Sequence, residues 1–210
     1  MEIHASRAGV NGGHGPLLRP TSLTVKPGEL TLVAGEPGTG HTALGLLLSG
    51  RIKPSTGTVS PDPKILRKQV VLVDAPEVNE PEEALTLSAI VGEELAMNGM
   101  RSGKKAVHDW LVEHAADEHA NKRFEHVPPH TRCAVMLELA SERPGVTALV
   151  LDCPDRYHPN PREWFALAQN YVTPERSVVA LCSNSSAHIL DIPHARLGED
   201  NNDTKMEITA

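Results

Sequence analysis

Gly35-Glu36-Pro37-Gly38-Thr39-Gly40-His41-Thr42 lies between a short apolar run, Leu30–Ala34, and a helical pattern, Thr42–Ile52. It matches the phosphate-binding loop G-x-x-x-x-G-K-[ST] at every fixed position except the lysine, which is His41. Glycines let successive backbone N–H groups turn inward around a phosphate, and the following helix points its positive end at the same place. Gly35, Gly38, Thr39, Gly40, His41 and Thr42 are therefore the candidate phosphate ligands. The Thr42 hydroxyl is a candidate for Mg²⁺, and so is the carboxylate of Asp152, which ends a second apolar run. The alternative for the same residues is a tight strand-to-helix turn with no ligand.

Working outward, apolar runs recur at Val70–Val73, Ala148–Leu151 and Val178–Leu181. Each is apolar at consecutive positions instead of alternating, which predicts strands buried on both faces of a parallel sheet. Helical patterns lie between and beyond them, over Thr42–Ile52, Thr86–Met97, Lys104–His119 and Arg132–Arg143. Strand alternating with helix predicts an α/β fold with its connections wound over the sheet. Trp110 and Trp164 fall in helical patterns and read as packing. From about His194 onward the sequence predicts short edge structure and a polar tail.

Composition bounds the function. The 210 residues are 40% hydrophobic and 22% charged, ordinary for a globular domain. No apolar stretch approaches the roughly 20 residues of a membrane helix, and no signal-peptide pattern opens the chain. Cys133, Cys153 and Cys182 are too few for a disulfide framework and suit a reducing cytoplasm. Cys153 and Cys182 both end predicted strands near His41; a metal or redox pair is one reading, packing of small buried residues the other.

The net charge of −7 is uneven: residues 1–68 carry 8 Lys/Arg against 4 Asp/Glu, and the rest is acidic. No basic run interleaved with aromatics occurs, so a nucleic-acid partner is not expected. His126 and His130 have a metal-like spacing, but Pro128 and Pro129 between them argue for exposed histidines instead. Residues 76–132 hold helical patterns and no buried-strand run. This predicts a helical insertion (76–132) in a core built from residues 1–75 and 133–210.

At this point the chain resembles the ATP-binding cassette (ABC) ATPase domains. The resemblance runs through Thr21–Val25, Pro27-Gly28-Glu29, the glycine loop, the helix to Gly50, and Pro54-Ser55-Thr56-Gly57-Thr58-Val59. It continues through Leu85–Leu95, Arg132–Ala140, Arg143-Pro144 and Leu149-Val150-Leu151-Asp152-Cys153-Pro154, so it covers roughly residues 2–200. It implies a P-loop NTPase-type sheet of the ABC kind with an inserted helical subdomain, ATP with Mg²⁺ as cofactor, and a membrane-embedded subunit or second ABC domain as partner.

The resemblance also implies which catalytic groups are replaced. The phosphate-binding lysine is His41, and the carboxylate that orients the attacking water is Cys153. The γ-phosphate histidine aligns with Ser183, the glutamine after the second strand falls at Asp74–Ala75, and the glycine-rich signature reads His126-Val127-Pro128-Pro129-His130. The aromatic that stacks on adenine is absent, with His14 the one substitute. The expectation is a cytoplasmic ABC-like subunit, peripheral on the inner face of the membrane through a partner. It binds nucleotide weakly or not at all, does not form an ATP-sandwiched homodimer, and acts as a structural or regulatory partner. The alternative is an ATP-hydrolysing transport subunit working with a catalytically complete partner.

Overall fold

A computed structural model of the chain describes residues 1–202. Four of its strands are the four apolar runs: β3 (Leu30–Gly35), β5 (Val70–Val73), β6 (Ala148–Asp152) and β7 (Ser177–Ser183). With β8 (Ala195–Arg196) they form a five-stranded parallel sheet in the order β5-β6-β7-β3-β8. Successive residues of a strand face opposite sides, and here both sides are covered. Leu32, Ala34, Val71, Val73, Leu149, Leu151, Val178 and Ala180 enter one core; Val33, Val70, Leu72, Val150, Val179 and Leu181 enter the other.

The second core is closed by α1 (His41–Leu48), α2 (Pro63–Gln69) and a three-stranded antiparallel sheet. That sheet has the order β2-β1-β4 and comprises β1 (Ile3–Gly12), β2 (Gly15–Val25) and β4 (Thr56–Ser60). The first core is closed by α3 (Leu87–Met97), α4 (Lys104–Glu113), α5 (Pro129–Ser141), α6 (Pro161–Asn170) and α7 (Asn184–Leu190). Trp164 is fully buried there and Trp110 nearly so, as their helical positions predict. No strand lies between residues 76 and 132, and β8 is the edge structure expected near residue 194. The polar tail beyond Asn202 lies outside the described residues.

Three helix ends differ from the sequence reading by three residues or more. The first helix stops at Leu48 and not Ile52, because Gly50 turns at φ +67 and Arg51 N–H donates back to the Leu46 carbonyl, a Schellman closure. The helix read as Lys104–His119 stops at Glu113; Ala115 has φ +51, and a separate 3-10 turn covers Asp117–His119. The helix read from Arg132 begins at Pro129. Proline at the first helical position forfeits only an N–H that has no partner there, so it starts this helix instead of breaking one.

One ionic cluster joins the elements around the site. Arg132 of α5, 4% exposed, donates through Nε and Nη2 to the Asp74 carboxylate at 3.3 and 3.1 Å. Its guanidinium lies 3.6 Å from the Tyr157 ring centroid and 4.3 Å from that of Phe124. Arg156 donates to the Asp74 carbonyl and pairs with Glu80 at 3.1 Å, while Tyr157 donates to Glu83. The chain after β5, the start of α5 and the loop after β6 are thereby held at fixed separations.

Removing Arg132 leaves the buried Asp74 carboxylate with only a longer contact, to Arg156 at 3.6 Å, and so largely stranded. Arg132→Met is expected to lower unfolding free energy by about 3–5 kcal/mol in urea denaturation. Adding Asp74→Asn removes the stranded charge, suits the positive φ of 50 at that position, and should recover most of the loss. A double variant no more stable than the single one would show that the pair is not what holds these elements.

Candidate functional site

The glycine loop joins β3 to α1 at the carboxyl end of the sheet, where ligands of α/β proteins bind. Gly38 and Gly40 adopt φ +80 and +110. At Gly40 a Cβ would come within 2.3 Å of the Leu17 carbonyl oxygen, so β2 and the loop are packed too closely for any side chain there. Within the loop, Thr39 N–H and its hydroxyl both donate to the Glu36 carbonyl, at 3.1 and 2.6 Å. The Glu36 carboxylate in turn accepts from Asn184 Nδ2 at 2.6 Å. No side chain caps the amino end of α1, which leaves its first N–H groups for another acceptor.

His41 opens α1 and is buried. Its Nε2–H donates to the Cys182 carbonyl of β7 at 2.8 Å. That bond uses the ring's donor nitrogen on the protein's own backbone. A lysine ammonium, with three donors on a longer stem, is not restricted in this way.

Asp152 ends β6 beside β7 and is 1% exposed, and neither of its carboxylate oxygens has a hydrogen-bond partner. Burial pushes its pKa up; the Thr42 hydroxyl, the Cys153 thiol and then His41 lie close enough to pull it partly back. An acceptor-only group left bare and buried, next to a threonine hydroxyl, is what a hard cation such as Mg²⁺ needs from a protein. The chain's residues therefore fit the cation. Thr42 and Asp152 would hold it, and the charge it supplies there would neutralise the carboxylate.

Cys153, the next residue, has φ +49 and ψ +56, uncommon for a side chain of any size, and is held by its N–H to the Leu181 carbonyl at 2.9 Å. Burial and the neighbouring Asp152 carboxylate raise the thiol's pKa strongly, so it stays protonated at neutral pH. Burial likewise raises Cys182, to about 12. Such thiols are poor nucleophiles and poor bases. All three cysteines are free.

Ser183 caps α7. Its hydroxyl accepts from Ser186 N–H, and its own N–H donates to Asp155 at 2.8 Å. Its polar groups are thus engaged in local structure.

A model of the ABC transporter family matches residues 18–135, from β2 through the glycine loop into α5. The chain belongs to the ABC transporter family. Members bind ATP, typically with Mg²⁺, and their ATP-binding domains typically partner membrane transporter subunits.

Similar to this chain is the hemin import ATP-binding protein HmuV of Methylobacillus flagellatus, 41% identical over 57 residues. Those residues are 27% of this chain and about a fifth (21%) of the relative's length. Among solved structures, a putative ABC transporter ATP-binding protein from Pyrococcus furiosus superposes with a TM-score of 0.68 at 16% identity, covering 95% of this chain and 97% of that one. The cbiO1 protein of Clostridium perfringens, part of the ABC transporter complex cbiONQ, superposes with a TM-score of 0.60 at 17% identity, covering 87% and 78%. These likenesses show the ABC ATPase α/β fold.

The candidate residues do come together in this ABC domain: His41 meets β7, and Thr42 and Cys153 flank Asp152. His14 does not join them, because it occupies the exposed two-residue turn of the β1–β2 hairpin. The sequence reading passed over Glu36–Asn184, which closes the loop against α7, and a cavity of about 400 Å³ beside it lined in part by His188, His194 and Arg196. No motif marks these residues; only the packing of β8 and α7 against β3 assembles them.

The bare Asp152 carboxylate makes a stability prediction. Its folded pKa is raised above the ordinary 3.8. The folded chain therefore holds the proton more tightly than the unfolded one, and stability falls as pH rises from 3.8 through the folded value. Asp152→Asn removes that penalty. The variant is expected to be about 1–2 kcal/mol more stable than the parent at neutral pH, with the gain vanishing below pH 3.8. Urea melts across the pH range read this directly, and a variant less stable at neutral pH would contradict the unpartnered carboxylate.

Proposed function

We propose that this ABC domain binds ATP–Mg²⁺ weakly or not at all, turns it over little, and serves as a structural or regulatory partner of a membrane transporter subunit or of a second ABC domain. The observation that carries the reading is the His41–Cys182 hydrogen bond. The side chain at the lysine position is spent on the protein's own backbone, so the loop contributes no free cation to a phosphate. Losing a charged hydrogen bond of that kind costs about 1.5–3 kcal/mol, which weakens nucleotide binding without forbidding it.

Other observations support the same reading. Cys153, at the position of the water-orienting carboxylate, is a protonated thiol. Ser183, at the position of the γ-phosphate histidine, is a helix cap. Pro128 and Pro129, at the signature position, lack the N–H groups that glycines would offer. The ionic cluster around Arg132 ties the end of β5 to α5 and to the loop after β6, which suits a scaffold.

We take residues 76–132 as a helical subdomain inserted between core segments 1–75 and 133–210. No helix among the described residues is long and apolar enough to cross a membrane; in the proposed role a membrane subunit holds this domain at the cytoplasmic face. One observation favours the alternative of an ATP-hydrolysing subunit with a complete partner: Thr42 and the bare Asp152 retain the cation half of the site.

Calorimetric titration with ATP–Mg²⁺ and ADP separates these readings. For the parent chain a Kd in the micromolar-to-millimolar range or no binding is expected. His41→Lys is expected to tighten binding by about tenfold or more, in line with 1.5–3 kcal/mol. Steady ATP turnover by the purified chain that is abolished in Asp152→Asn would overturn the proposal in favour of the ATPase.

A further inference from the structure

His158 is the most conspicuous buried polar residue outside the nucleotide loop. It follows the 3-10 turn Pro154–Arg156, is 3% exposed, and has both ring nitrogens buried without a hydrogen-bond partner. A buried imidazole with two unsatisfied nitrogens is costly unless something binds it. Its neighbours are ligands. His130, in the first turn of α5, has its ring centroid 6.1 Å away, and Glu163 Oε2 of α6 lies 3.6 Å from His158 Nε2. One donor atom from each of the three lies within 4.8 Å of the others.

We propose that His130, His158 and Glu163 form a binding site for a divalent transition metal of the zinc class. Bond lengths of about 2.0–2.2 Å place tetrahedral ligand atoms roughly 3.3 Å apart, so closure needs shifts of about an ångström. His130 and Glu163 are exposed and free to make them, while His158 is held by packing. Asn160 Nδ2 donates to Glu163 Oε1 at 2.8 Å, and the Asn160 carboxamide oxygen caps α6, which orients the carboxylate with Oε2 toward the site without locking it there.

Burial also holds the His158 imidazole toward its neutral, metal-binding form. Two imidazoles and one carboxylate suit zinc, cobalt, nickel or copper over Mg²⁺. Three protein ligands leave a fourth position open toward solvent for water or a group from another molecule. Both helix amino ends carry partial positive charge that opposes a cation, an effect the Glu163 carboxylate offsets. Arg132 lines a small void together with His158 but is already paired with Asp74 and Glu83. A bound metal would tie the start of α5 to the loop after β6.

Zn²⁺ titration of the whole chain by calorimetry, with Co²⁺ as an optical probe, tests this. One equivalent is expected to bind, with Co²⁺ giving tetrahedral visible bands free of thiolate charge transfer. His158→Leu, which suits an apolar surround, and Glu163→Gln, which alters an exposed side chain and leaves the fold alone, should each weaken binding more than about tenfold. His114→Ala, in the separate His114–Glu138–Glu142 cluster, should leave it unchanged. No saturable binding by the parent, thiolate bands with Co²⁺, or full binding in Glu163→Gln would each overturn the proposal.

Discussion

The buried Arg132 guanidinium is the constraint on which the site's geometry rests. A guanidinium stays charged at any pH a protein meets, is weakly hydrated, and tolerates burial when its plane stacks on aromatic rings and its edge meets a carboxylate. Arg132 has both: Phe124 and Tyr157 against its plane, and Asp74 across its edge. Asp74 in turn keeps a left-handed backbone, and its carbonyl accepts from Arg156. The loop from Cys153 to His158 therefore inherits its position from α5. Glu80 and Glu83 face these two arginines and Tyr157.

Within the site so positioned, the two halves differ in kind. On the cation side, Asp152 is bare, buried and beside Thr42, a destabilised arrangement that persists because the surrounding sheet over-determines it. On the phosphate side, three side chains at replaced positions offer little to a phosphate: His41 is bonded to a carbonyl, Ser183 is a helix cap, and Cys153 keeps its proton. The ABC fold is maintained by the parallel sheet and its two cores, and neither depends on these side chains.

The parallel strands were legible because burial on both faces demands consecutive apolar residues, and few other structures do. The antiparallel sheet was not found from patterning. β1 and β2 are bulged and half exposed, with shifts of register between Ala5, Ala8 and Val10, so no clean alternation survives. Helix starts followed local capping rules, as at Thr86 before α3. Helix ends depended on which residue accepts a positive φ, as at Gly50 and Ala115. The helix over Pro129–Ser141 shows the limit of reading proline as a breaker: two prolines between His126 and His130 put one ring in a 3-10 turn and the other in a helix.

By itself the sequence determined the order of the four buried parallel strands, the glycine loop, and the identity of each residue at its critical positions, since these are local properties of hydrophobicity, turn chemistry and spacing. Tertiary structure alone decided what those residues touch. His41 is committed to Cys182, which lies 141 residues away, and His130 pairs with His158 and not with His126. Such contacts follow from how strands from distant parts of the chain align in one sheet, and that alignment is set by burial of the whole surface, not by any pattern a short window contains.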